Sequence, residues 1–227
     1  MGTVDVTSLS RWIREFAHSI AANKELLTRL DAAIGDGDHG VNMDRGFAAV
    51  VAVMDEQPPL NVAALLKNVV ARTITSTGGV GGAGGALYGA FFRGMAQAAD
   101  SVHSLDDAAF AAALRAGLNE LVRLGMPKAG DKTMFDALDP ALDALEIALA
   151  AHAGLGEALG RAAVAAAAGR DRTEEMRGGK GRASLRPERS IGHVDPGAAS
   201  AALLIAAAAT VFEDPVFEDV VFEDAPG

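Results

Sequence analysis

The 227-residue chain has no cysteine, which excludes disulfide frameworks, cysteine-ligated zinc or iron–sulfur centres and thiol nucleophiles. Aromatic residues are scarce, at 5%, with one Trp and one Tyr. Strands favour aromatic and β-branched side chains, whereas alanine, abundant here, is the best helix former, so the composition points to helices. A cationic excess is also missing. The 20 basic and 30 acidic residues leave a net charge of −10, a poor match for a nucleic-acid backbone. The longest apolar runs, near 162–168 and 198–209, are Ala-rich and too short to span a membrane. No basic-then-apolar leader pattern opens the chain, because Asp5, Arg11, Arg14 and Glu15 interrupt it. These absences predict a soluble, cytoplasmic, mostly α protein that binds neither nucleic acid nor membrane. Half of the residues are hydrophobic, enough for one packed core.

Trp12, Phe16, Ile20, Leu27 and Leu30 fall at helical spacing and predict one helix from Ser8 to Leu30. Further helices are expected over 43–57, stopped by Pro58 and Pro59, and over 62–75, capped by Asn61. Others follow over 86–99, from a capping box at Ser104 and Asp107 to Leu124, and from Thr133 to Ala151 with a bend at Pro140. Residues 155–169 and 197–211 complete a set of eight, with no strand ladder. The expected organisation is one all-α domain over 1–210 and an acidic tail over 211–227. Val-Phe-Glu-Asp recurs three times in that tail, which holds six carboxylates and no basic residue. It reads either as an unpacked segment or as a docking segment anchored by Phe212, Phe217 and Phe222.

Three segments carry chemistry. Asp31, Asp36 and Asp38 run from a helix end into a glycine turn, and three crowded carboxylates repel one another unless a cation joins them. Six glycines occupy positions 78 to 85, followed directly by a helix. Such a loop offers backbone N–H groups to a phosphate. Its match to G-x-G-x-x-G at 79–84 lacks the preceding strand of a dinucleotide fold, and no Lys-Ser/Thr pair follows as in a Walker A loop. Residues 170–194 carry seven of the chain's 20 basic residues, and this long loop reads equally as a functional segment or as a disordered, solvated one.

In this order, DAAIGDGDHGVNM (31–43), GGVGGAGGALYGAFF (78–92), GDKTMFDAL (130–138) and GRASLRPERSIGHVDPGA (181–198) resemble the ADP/ATP-binding L subunit of dihydroxyacetone kinase. The resemblance implies an antiparallel eight-helix barrel with the nucleotide site at one end. It implies that Asp31, Asp36 and Asp38 hold two Mg²⁺ ions bridging the nucleotide phosphates and serve catalysis. His39 and Asn42 would lie near the phosphates, which the loop of Gly79, Gly81, Gly82, Ala83 and Gly84 wraps. Thr133 and Met134 would sit beside the adenine nucleoside, with Arg182 and Asp195 in the segment closing over it. Such a subunit transfers a phosphoryl group to a ketose held covalently on a separate K-type subunit, for which 227 residues leave no room. Two departures stand out: Gly82–Gly85 lacks the hydroxyls of the Gly-Gly-Thr-Ser-Gly often found in this family, and Leu185 replaces a common aromatic. The phosphoryl donor, ATP or a phosphotransferase-system protein, stays open, as does the C3–C4 ketose. The alternative reading is a non-catalytic ADP-binding module that recognises a protein partner; a Rossmann oxidoreductase would require a parallel sheet.

Overall fold

The computed structural model describes residues 3–99 and 102–213. Ten α-helices dominate these residues: α1 (Val6–Ala22), α2 (Lys24–Ile34), α3 (His39–Glu56), α4 (Arg72–Thr75), α5 (Gly82–Ala98), α6 (Asp107–Gly125), α7 (Phe135–Ala150), α8 (Leu155–Arg172), α9 (Pro187–Ser190) and α10 (Pro196–Phe212). A π-helical segment, Ala64–Ala71, leads into α4, and a 3₁₀ turn, Arg182–Leu185, precedes α9. The only strand pairing among the described residues is antiparallel, two residues on each side, Val4–Asp5 with Ser104–Leu105. No helix there is long and apolar enough to cross a membrane.

The predicted helix from Ser8 to Leu30 is in fact two. Asn23 stops α1: its backbone N–H and its side-chain Nδ2 both donate to the carbonyl of Ser19. The cap expected at Ser104 is instead Asp106, which accepts from Ala109 N at 2.7 Å, while Ser104 joins the strand pair. Asn61 does accept from Ala64 N, at 2.8 Å. Helix α3 begins four residues earlier than the sequence pattern suggests, which places His39 and Asn42 in its first turn. The basic segment after α8 is ordered by the 3₁₀ turn and α9. In the tail, Phe212 ends α10 and packs on Phe110, with ring centroids 5.3 Å apart. Phe217 and Phe222 lie outside the described residues.

Packing runs from α1 to α3, the π-helical segment with α4, α5, α6, α7, α8, α10 and back to α1, so the helices close on themselves; α2 packs on α3 and α10. Most of the described aromatics are buried in this core. Trp12 meets Phe110 edge-on at 5.8 Å, and its indole N–H donates to Leu204 O at 2.9 Å, joining α1 to α10. Elsewhere glycine and alanine permit close approach. A Cβ on Gly94 of α5 would stand 2.9 Å from Gly117 Cα of α6, and one on Gly169 of α8 would stand 2.3 Å from Asp136 O of α7. The Ala- and Gly-rich composition therefore shortens the distances between helices instead of supplying bulk.

Candidate functional site

The turn between α2 and α3, the glycine loop with the start of α5, residues 132–134, and the basic segment with the start of α10 line one cleft. Asp31, buried in the last turn of α2, places one carboxylate oxygen within hydrogen-bonding reach of two backbone amides, Asp38 N at 2.8 Å and His39 N at 3.1 Å. These are among the first amides of α3, where a negative charge is favoured. Its other oxygen lies over Gly35, where a Cβ would stand 2.1 Å away. Gly37, at φ +76°, turns the chain back in a conformation most side chains avoid. The result brings one oxygen each from Asp31, Asp36 and Asp38 within 4.8 Å of one another. Clustered carboxylate oxygens of this kind fit Mg²⁺, a hard cation that takes oxygen ligands. Arg182 Nη2 already pairs with Asp36 at 2.5 Å, so the basic segment reaches the acidic turn directly.

Helix α5 starts at Gly82 with no side-chain cap, which leaves its first N–H groups available at the cleft. Val80, Gly81, Gly82, Ala83 and Gly84 line the cleft. Gly79, in contrast, lies behind the lining, where a Cβ would stand 2.4 Å from Thr73 O. On the opposite wall Asp136 accepts from Gly130 N at 2.6 Å and Thr133 N at 2.8 Å, and so shapes the turn that carries Thr133 and Met134.

Two buried charges flank this wall. Lys132 is 1% exposed and sits at φ +63°. Its ammonium donates to the carbonyls of Thr173 and His193, at the two ends of the basic segment. Burial pulls its pKa down, and Asp195, Glu174 and Asp136 pull the other way. Asp195 caps α10 by accepting from Ala198 N at 2.7 Å. Burial pushes its carboxyl up to about 7, against the pull of that bond and of Lys132.

His39 belongs to a short relay. Its Nε2 lies 3.0 Å from Ser200 Oγ, which also accepts from Tyr88 OH at 2.9 Å and donates to Gly197 O at 3.0 Å. Ser200 Oγ thereby joins His39 of α3 to Tyr88 of α5 and to the backbone at the start of α10. Burial lowers the imidazole pKa more than Asp31 and Asp38 raise it. Tyr88 and Ser200 escape a sequence reading, although Ser200 is the only polar residue between 198 and 209. A lone hydroxyl in such an apolar run requires a buried partner.

Residues 33–210 match the DAK2 domain family model. The ADP-binding subunit DhaL of PEP-dependent dihydroxyacetone kinase 1 from Listeria innocua is 39% identical over 89% of this chain and 94% of its own length. The corresponding subunit of the PTS-dependent dihydroxyacetone kinase from Lactococcus lactis is 38% identical over 90% and 95%. Among solved structures, the dihydroxyacetone kinase of C. freundii in complex with AMP-PNP and Mg²⁺ superposes with a TM-score of 0.70 at 27% identity. That match covers 88% of this chain and 33% of the kinase, so the chain spans about a third of its length. With a family match over most of its residues and near full-length relatives, the chain belongs to the DAK2 domain family.

Proposed function

We propose that this chain is the nucleotide-binding subunit of a dihydroxyacetone kinase, passing a phosphoryl group to a short ketose held on a separate K-type subunit. The observation that carries this reading is the meeting, in one cleft, of a three-carboxylate turn and a glycine loop opening a helix. ADP or ATP would lie between them. Asp31, Asp36 and Asp38 would hold two Mg²⁺ ions, whose charge would offset that of the phosphates during transfer. The loop amides at 81–84 orient the phosphate chain, with His39 and Asn42 beside it, while Thr133 and Met134 receive the nucleoside. Arg182 and Asp195 close the cleft from the side of the basic segment. Because phosphoryl transfer demands placement and charge stabilisation more than covalent help, this set of groups suits the task.

The rim supports a partner. Arg182, Leu185, Arg186 and Arg189 line a second hollow next to Ala32–Gly35, with Leu185 76% exposed. A cationic rim with an apolar contact at the mouth of the cleft suits docking of the ketose-bearing subunit. The names of the Listeria and Lactococcus relatives, PEP-dependent and PTS-dependent, favour a route in which bound ADP is rephosphorylated in place by a phosphotransferase-system protein.

Calorimetric titration of the wild-type chain with ADP, with and without Mg²⁺, tests the metal assignment. Binding should require Mg²⁺, and Asp36→Ala or Asp38→Ala should remove it with helicity retained. Unchanged ADP affinity in both variants would sink the metal assignment.

A further inference from the structure

We infer that Arg45 is a positioning residue that sets the orientation of the phosphate-facing loop, an assignment that rests on the nucleotide reading above. Arg45 projects from α3 to the back of the glycine loop. Its Nε donates to Gly78 O and Gly79 O, both at 3.2 Å, and its Nη2 to Gly79 O at 2.9 Å and Val80 O at 3.4 Å. One guanidinium thus gathers three successive carbonyls.

The planar trans peptide turns this into a statement about amides, because C=O and N–H of one peptide point in opposite directions. The amides paired with the first two carbonyls are already used: Gly79 N donates to Ser76 O at 2.9 Å and Val80 N to Ile74 O at 3.0 Å. The third carbonyl, Val80 O, faces Arg45, so Gly81 N–H points away from it, and Gly81 lines the cleft. Carbonyl oxygens in that place would repel a phosphate. Holding Val80 O on the far side therefore presents the Gly81 amide, the one of the three not used above. Residues 78–85 contain no hydroxyl side chain, so orientation of the backbone is the loop's main means of binding an anion.

The same helix ties the loop to the acidic turn. Asp38 stands at the N-terminal boundary of α3, and His39 and Asn42 lie in its first turn, six and three residues before Arg45. The next residue, Gly46, lets the loop approach: a Cβ there would stand 2.4 Å from Val80 Cγ2 and 2.7 Å from Val80 N. Helix α3 accordingly fixes the spacing between the carboxylates and the loop amides, with Arg45 as the link on the loop side. A lysine could supply the charge but not a planar fork able to reach three carbonyls.

The test compares the wild-type chain with Arg45→Lys and Arg45→Met, measuring dissociation constants for Mg-ADP and for adenosine alone. Loss of a charge-assisted hydrogen-bond set predicts Mg-ADP binding weakened by about tenfold or more in both variants. Adenosine, which has no phosphate, should bind all three proteins equally. Wild-type affinity in the Lys variant would show that charge alone matters and overturn the inference, as would equal losses for both ligands or an unaffected Met variant. A wild-type chain that binds no Mg-ADP would instead overturn the nucleotide reading on which this rests.

Discussion

Burial decides the charge of the side chains around the cleft. Asp195 is the clearest case: burial pushes its carboxyl up to about 7, although the bond it accepts in capping α10 pulls the other way. An unfolded chain returns it to the usual carboxylate range, about 4. Between those values the folded state holds the proton and the unfolded state releases it, so stability from this group falls as pH rises. Above about 7 both states are ionised and the loss is complete. Thermal unfolding of wild type and Asp195→Asn should therefore show the wild type losing ground from about pH 4 to 7, then a constant difference. A difference independent of pH would contradict the shifted carboxyl. The acidic turn was legible in sequence, because glycine between aspartates signals convergence before any packing is known. Asp195 could be read only through family resemblance, since its burial depends on α10 docking beside Lys132. Arg45 was not legible, its partners lying 33 to 35 residues away; for Ser200 the sequence offers only the need for a buried partner, since His39 lies 161 residues away.

Among the elements, the basic segment shows how a loop rich in like charges is held in one conformation. Lys132 donates to carbonyls near both of its ends, Thr173 Oγ1 accepts from Asp195 N at 2.9 Å, and Ser190 Oγ accepts from Gly178 N at 2.8 Å. Lys132→Met would remove both links, leaving the part-buried His193 carbonyl without its partner at a cost of roughly 1–3 kcal/mol, while Thr173 O keeps its bond from Met176 N at 3.2 Å. Trypsin, which cuts after Arg and Lys, should then cleave between Arg177 and Arg189 faster than in the wild type. Equal cleavage rates would show that Lys132 is not what pins the segment. Helix positions were legible from apolar spacing to within a few residues, since each helix buries one stripe. Their internal breaks were not. Asn23 divides α1 from α2 by a side-chain bond to the preceding turn, and Gly82–Gly85 enters α5 despite poor helix propensity. In that place small size outweighs propensity: a Cβ on Gly85 would come within 3.2 Å of Ile74 O.

For the whole molecule, the net charge of −10 is not spread evenly. Three carboxylates converge in the cleft, the basic segment covers its rim, and six more carboxylates lie in the repeats beyond Phe212. Four sequence segments spread over 168 positions, from 31 to 198, meet only because the helices close around a common core. That closure was anticipated from the resemblance, whereas composition alone gave the all-α class. The resulting cleft opens beside a cationic, partly apolar rim, which suits docking of the proposed ketose-bearing subunit. The proposed catalytic role is tested most directly by mixing the chain with Mg²⁺ and a K-type subunit loaded with dihydroxyacetone, then following formation of dihydroxyacetone phosphate. The reaction would be run with ATP alone and with ADP plus a phosphotransferase-system donor. Product should appear in at least one of the two, require this chain, and vanish with Asp38→Ala. No product from either donor, with Mg-ADP bound to the chain, would contradict a catalytic role and leave a nucleotide-binding module.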